Sequence, residues 1–158
     1  MSTDARSGSG TTSDEQLVSD ADYVQLCRLV TEHAWRTDNG RSDTVHQLYV
    51  EDGELDLGSR PLRGSQAIYQ WGRQLVENPP WNAIRRMCAN MRFVSDRPDA
   101  AEGSTILITF MDADGTRSSV PWNVGEDHGR FVRTGQGWRL VSRKYVNLFV
   151  RGDTIDIP

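Results

Sequence analysis

Lysine is almost missing from this chain: Lys144 is the only one, and the other basic residues are arginine. Schiff-base chemistry therefore has a single candidate, in a strand-like run beside Arg143. Guanidinium stays protonated at any ordinary pH, so the remaining positive charge can bind and stabilise but cannot carry protons. Cysteine is scarce. Cys27 and Cys88 are far apart, fit no zinc or redox spacing, and sit among apolar neighbours as small core residues. The three histidines, His33, His46 and His128, are scattered without a metal-ligand pattern, so no metal is expected. No apolar run nears the roughly 18 residues of a membrane span. The N-terminus is polar from its first residue, without the apolar segment of a signal peptide, and a cytoplasmic location is expected. Excess positive charge is missing too. The formal net charge is -4 and the pI near 5.3, which argues against a nucleic-acid partner. No serine lies in a G-x-S-x-G elbow, and no glycine-rich loop follows a strand as phosphate binding requires, so neither a hydrolase triad nor a nucleotide site is supported.

What is present suits one domain. The 158 residues are 37% hydrophobic and 25% charged, and a chain of this length buries enough surface to be stable without staples. Residues 1–19 are rich in Ser, Thr, Gly and Asp and are expected to be a disordered tail. The domain then runs over 20–151, with a second tail at 152–158. A long helix is expected from Ser19 or Asp20, with Tyr23, Leu26, Cys27, Val30 and Ala34 as its apolar stripe. It should stop at Asp38-Asn39-Gly40, where Asn-Gly suits a left-handed cap. A short second helix capped by Asp43 carries Val45, Leu48 and Tyr49. A brief strand over 54–57 follows, then a third helix capped by Ser65 that ends before Asn78-Pro79-Pro80.

Beyond the prolines the pattern becomes strands. Over 85–93 the residues alternate, with Met87, Ala89, Met91 and Phe93 on one face and Arg86, Cys88, Asn90 and Arg92 on the other. A strand over 104–111 ends at the hairpin signal Asp114-Gly115. Residues 117–124 and 129–133 read as one long strand interrupted at Gly125-Glu126-Asp127, and a last strand covers 138–150. Helices first and a meander after indicate an α+β fold, with helices on one face of a curved antiparallel sheet.

This order of elements resembles the SnoaL-like branch of the nuclear transport factor 2-like superfamily. The matching residues are Trp35-Arg36-Thr37-Asp38-Asn39-Gly40, Leu48-Tyr49-Val50-Glu51-Asp52-Gly53 and Leu62-Arg63-Gly64-Ser65-Gln66-Ala67-Ile68. Asn90, Phe131-Val132-Arg133-Thr134, Gly137-Trp138-Arg139-Leu140 and Arg143 complete the match. The resemblance implies a cone whose sheet wraps the long helix and two shorter ones around an apolar pocket. It implies cofactor-free dehydratase, isomerase, polyketide cyclase or epoxide hydrolase chemistry, and a homodimer or homotrimer formed through the sheet. Some members only bind ligands or partners.

The resemblance also directs attention to individual residues. Asp38 matches the aspartate that in dehydratase-like members pairs with a histidine on the first long strand. That histidine position, four residues before Asn90, is Arg86 here, so the dyad is absent and Arg86 is left to stabilise an enolate or orient a carboxylate. Asp56 approximates the base of ketosteroid isomerase-like members, and His33 approximates their oxyanion-stabilising tyrosine. His46 reads as exposed, and His128, at the strand interruption, reads as a loop histidine that could reach the pocket mouth. Tyr23, Trp35, Trp81, Trp122 and Tyr145 are the candidate aromatic lining, and Asn90 a candidate donor to a ligand carbonyl. The leading expectation is a lyase or isomerase with Asp38 or Asp56 as base, Arg86 as stabiliser and His33 as hydrogen-bond donor or second acid–base group. It would act on a small hydrophobic compound. A non-catalytic ligand-binding or dimerising module is the alternative. Epoxide hydrolysis through Asp38, Arg86 and Asp56 ranks lowest.

Overall fold

The computed structural model describes residues 16–112, 115 and 118–150. The expected tails therefore fall largely outside the described residues, as does most of the Asp114-Gly115 turn. The domain begins earlier than Asp20. Gln16–Leu17 (β1) pair with Ser95 and Val94, and Val18 N–H donates to the Phe93 carbonyl at 3.3 Å.

Helix α1 spans Asp20–Asp38. Ser19 caps it, its hydroxyl accepting from Asp22 N–H, and Asp20 and Asp22 place negative charge in the first turn. It stops at Asn39, whose backbone N–H and side-chain amide both donate to the Trp35 carbonyl, and Gly40 turns the chain with φ 70°. The buried stripe is Leu26, Leu29, His33 and Thr37. It is rotated from the expected one, because counting apolar residues alone discards the two polar members that face inward. Ser42–Leu48 form a 3₁₀ helix that starts without a side-chain cap and buries Val45 and Leu48. Helix α2, Ser65–Glu77, likewise begins without a side-chain cap, after Gly64 rather than through the Ser65 hydroxyl. It packs on the 3₁₀ helix so closely that a Cβ on Gly72 would lie 2.1 Å from the Ser42 carbonyl oxygen. Only glycine permits that approach.

The other strands are β2 (Tyr49–Asp56), β3 (Leu62–Arg63), β4 (Ala83–Arg97), β5 (Ala100–Asp112), β6 (Asn123–Thr134) and β7 (Gly137–Val150). Their order is β1-β4-β5-β6-β7-β2-β3. The meander β4 to β7 is antiparallel, but β2 runs parallel to β7, so the sheet is mixed. It is curved and open, and the fold is an α+β cone. Strand β6 is continuous through Gly125-Glu126-Asp127, and residues 118–122 precede it without being strand. The expected interruption is instead a stretch of ladder in which every second residue points inward.

One irregularity decides what faces the cone's interior. The β4–β5 register slips between Ala89 and Arg92, where Asn90 sits at φ 48°, a left-handed conformation that asparagine tolerates. The bulge inverts the alternation. Ile84, Arg86 and Cys88 face inward before it, and Met91 and Phe93 after it, while Met87 is 57% exposed. A single alternating strand would have put Arg86 and Phe93 on opposite faces.

The main core joins Leu26, Leu29, Val45, Leu48, Leu55, Ile68, Phe93, Phe131, Trp138 and Leu140. Phe93 and Phe131 meet edge to face at 5.6 Å. A second, smaller cluster of Ile84, Met111 and Trp122, with Trp81 against it, lies toward the other end of the sheet. Cys27 and Cys88 are half-buried free thiols; Cys27 packs against the main core, and Cys88 belongs to neither cluster.

Candidate active site

A cavity of about 400 Å³ lies between α1, α2 and the inner face of β4 to β7. Trp71, Leu75, Trp81, Ile84, Leu107, Met111 and Trp122 form an apolar wall. His33, Thr37, Arg86, Thr109, Arg143 and Tyr145 form a polar one, and Leu57, Gly58 and Ser59 border it after β2. Size and lining suit a small, largely apolar ligand held by a few polar groups.

Two buried arginine–aspartate pairs support the polar wall. Asp38, at the end of α1, uses both carboxylate oxygens on one residue. Oδ1 accepts from Arg86 Nη1 at 2.6 Å, and Oδ2 accepts from the Arg86 backbone N–H at 2.7 Å. Its side chain is 5% exposed. Burial pushes the Asp38 carboxyl above the usual carboxylate range, and the Arg86 guanidinium pulls against that shift. The second pair, Asp127 on β6 and Arg143 on β7, joins at 2.7 Å through Asp127 Oδ2. Its other oxygen, Oδ1, is buried without a hydrogen-bond partner among the described residues. Burial raises the Asp127 carboxyl too, against the opposing pull of Arg143.

His33 sits where these groups meet. Its Nε2 lies 3.1 Å from the Tyr49 hydroxyl and 3.4 Å from Arg143 Nη1. Arginine can only donate, so Nε2 carries the lone pair and the ring proton is on Nδ1. Burial, reinforced by Arg143 and then Arg86, holds the imidazole well below its ordinary pKa, so it is uncharged at neutral pH. Burial also pushes the nearby Cys88 thiol up to about 11, which keeps it protonated. Among the described residues no three His, Cys, Asp or Glu side chains gather in a way that could hold a metal ion.

Of the residues singled out in the sequence, His33, Arg86, Trp81, Trp122 and Tyr145 line the cavity, and Asp38 stands directly behind Arg86. The others do not reach it. Asp56 alternates with the buried Leu55 in β2, and its carboxylate accepts from Gly58 N–H at 2.9 Å, closing a turn. The Asp38–Arg86–Asp56 arrangement needed for epoxide hydrolysis is therefore not assembled. Tyr23 is 41% exposed, with its hydroxyl donating to the Met91 carbonyl, because the α1 stripe is rotated away from it. Trp35, 50% exposed, lies on the outer side of α1 for the same reason. Asn90 is exposed and serves the bulge instead of a ligand. His46 is half-buried rather than exposed: it bonds the Asp43 carbonyl and meets the Tyr69 ring edge-on. His128 is exposed beside Glu126, on the outer face of β6 rather than in a loop.

Sequence reasoning passed over Asp127, the role of Arg143, Thr37, Tyr49, Trp71 and Thr109. A signal for Asp127 does exist. Residues 123, 125, 127, 129 and 131 share one face if β6 is left unbroken, and Gly125 on that face makes room for the Tyr145 ring, with a Cβ there only 2.2 Å from the Tyr145 hydroxyl.

The SnoaL-like domain family matches residues 20–144. The chain belongs to the SnoaL-like family. No curated protein matches it. Solved structures with similar folds include a candidate scytalone dehydratase from Novosphingobium aromaticivorans DSM 12444, with TM-score 0.74 and 12% identity over 86% of this chain and 90% of that one. A protein of unknown function from Mycobacterium tuberculosis gives 0.72 and 14% over 82% and 77%. An NTF2-like protein with a cystatin-like fold, also from N. aromaticivorans, gives 0.66 and 24% over 81% and 82%. At these identities the likeness establishes the nuclear transport factor 2-like fold of this SnoaL-like chain. Its chemistry has to be argued from the cavity.

Proposed function

We propose that this SnoaL-like protein is a cofactor-free enzyme that removes or relocates a proton on a small hydrophobic compound bearing a carbonyl or hydroxyl group. The outcome would be elimination, isomerisation or cyclisation. The observation that carries the reading is an uncharged His33 on the cavity wall beside two guanidiniums. The substrate's apolar body rests on Trp71, Trp81 and Trp122, and its carbonyl oxygen faces Arg86 and Arg143. His33 Nε2 takes the proton alpha to the carbonyl, and the Tyr49 hydroxyl turns from donating to Nε2 to accepting from it. The electron pair moves to the carbonyl oxygen, where the guanidiniums stabilise the new charge. That oxyanion offsets the positive field that, added to burial, keeps His33 unprotonated, so base strength rises as the transition state forms. Asp38, with both oxygens on Arg86, positions the guanidinium and does not abstract the proton. Asp127 does the same for Arg143.

The test is turnover of a panel of cyclic β-hydroxy ketones and β,γ-unsaturated ketones. His33→Gln should lower kcat by about 10²–10⁴ for whatever the wild type converts. Equal rates for the two proteins would remove His33 from the chemistry. Ligand binding without turnover is the second reading, favoured by the engagement of both carboxylates behind the wall, Asp38 and Asp127, with arginine. It predicts ligands that raise Tm and are recovered unchanged.

The same reading includes a homodimer or homotrimer through the outer face of the sheet. Met87, Ile108, Val124 and Phe149 stand opposite one another in register across β4 to β7, an apolar row where alternation should place polar residues. A cytoplasmic location is also part of the proposal, because two unpaired thiols suit a reducing compartment. Among the described residues no helix is long and apolar enough to cross a membrane.

A further inference from the structure

We infer that the compound held in this cavity carries an acidic oxygen group, a carboxylate, on a flat aromatic or hydroaromatic body. The inference rests on the reading of the cavity as the functional site and names the class of its ligand.

The argument begins with donors that lack acceptors. Arg86 spends Nη1 on Asp38, and its Nε and Nη2 make no hydrogen bond among the described residues. Neither atom is among the fully buried unpartnered ones, and the side chain faces the cavity. The Nε–Nη2 edge is one of the two edges of guanidinium that grip a carboxylate with two parallel hydrogen bonds. Asp38 occupies the far side of the group and, through its second bond to the Arg86 backbone, fixes that edge in place. The free edge is thus pre-set instead of searching rotamers.

Charge points the same way. Both guanidiniums line the cavity, whereas neither Asp38 nor Asp127 does, so the carboxylates lie behind the arginines and the ligand meets the positive side. Among the described residues the wall has no acidic side chain of its own. His33 is uncharged and Tyr145 neutral, so neither of these lining groups repels an anion. The carbonyl of the proposed reaction takes one donor and leaves the Nε–Nη2 edge of Arg86 unsatisfied, whereas a carboxylate on the same compound fills that edge with two hydrogen bonds and leaves Arg143 to the carbonyl. Opposite the arginines, Trp71, Trp81 and Trp122 offer wide apolar faces, which calls for a flat body rather than a long chain.

The test uses 2-naphthoate and its methyl ester as probes, titrated by calorimetry at neutral pH into wild type, Arg86→Gln, the double variant Asp38→Asn/Arg86→Gln, and His33→Gln. The double variant removes both buried charges together, and so covers the case in which Arg86→Gln alone fails to fold. Wild type should bind the acid at least about tenfold more tightly than the ester, and the preference should weaken as salt is raised. Loss of the Arg86 guanidinium, in either background, should remove the preference while ester binding remains. His33→Gln should keep it. Equal affinity for acid and ester, no binding of the acid, or a preference that survives loss of Arg86 would overturn the inference. Because His33→Gln is read by binding here and by turnover above, an acid preference with unchanged turnover would overturn the proposed chemistry and leave this inference standing.

Discussion

Asp38–Arg86 and Asp127–Arg143 are the same two residue types, buried to a similar degree on one cavity wall, yet they are built differently. Asp38 ties a helix end to a strand and has no oxygen to spare. Asp127 ties two neighbouring strands and keeps one oxygen unbonded in the interior. The first pair is a closed clamp whose free side is the arginine. The second is an open one whose arginine is also engaged by His33. Buried ion pairs are weak devices for stability and better ones for fixing geometry. Each pair holds one guanidinium still at the place where an oxyanion would form.

Breaking the open pair should have the larger effect. Arg143→Met would leave Asp127 charged and unpaired in the interior, and should cost about 3–5 kcal/mol in urea unfolding. Asp38→Asn should cost less, about 1.5–3 kcal/mol, since it loses charge-assisted hydrogen bonds but leaves a cation that opens onto the cavity. If Asp38→Asn proved the more damaging, the distinction between closed and open pairs would fail. Acid should sharpen the comparison further. His33 has a folded-state pKa well below its ordinary 6.5, so its contribution to stability is present above that value and is lost as pH falls toward the folded pKa. The raised carboxylates of Asp38 and Asp127 act in the opposite direction: their contribution is greatest in acid and is lost as pH rises through their folded pKa values. His33→Gln should therefore lose less stability than wild type between about pH 7 and pH 5. An unchanged slope would mean that His33 does not titrate as an isolated, uncharged imidazole. The smallest effect on folding is expected on the outer face. Phe149, 71% exposed, changed to Asp should leave Tm nearly unaltered while shifting the protein to monomer by light scattering, if copies associate there.

Local signals were readable in the chain. Ser19 and Asn39-Gly40 bound α1 as their capping chemistry requires, and α2 runs from Ser65 to just before Asn78, ahead of the two prolines. The departure at Arg86 from the expected histidine set an arginine across from Asp38, and the structure joins the two as one of the ion pairs. Asp127 was hidden because a Gly-Glu-Asp run looks like a turn when its cross-strand neighbours are unknown. Tyr23 and Trp35 were overvalued because aromatic side chains dominate a periodicity count, while the inward positions on the same helix are polar.

By itself, then, the sequence determined where the helices start and stop, the α+β order of elements and the presence of Asp38 opposite Arg86. These depend on residues a few positions apart or on one pairing of helix end and strand. Only the tertiary structure decided which side chains share the cavity. Asn90 in a left-handed bulge reverses the face of β4, and the register of β6 against β7 brings Asp127 to Arg143 and thence to His33. A side-chain period of two makes a one-residue slip exchange every face of a strand, so nothing short of the assembled sheet could fix that meeting.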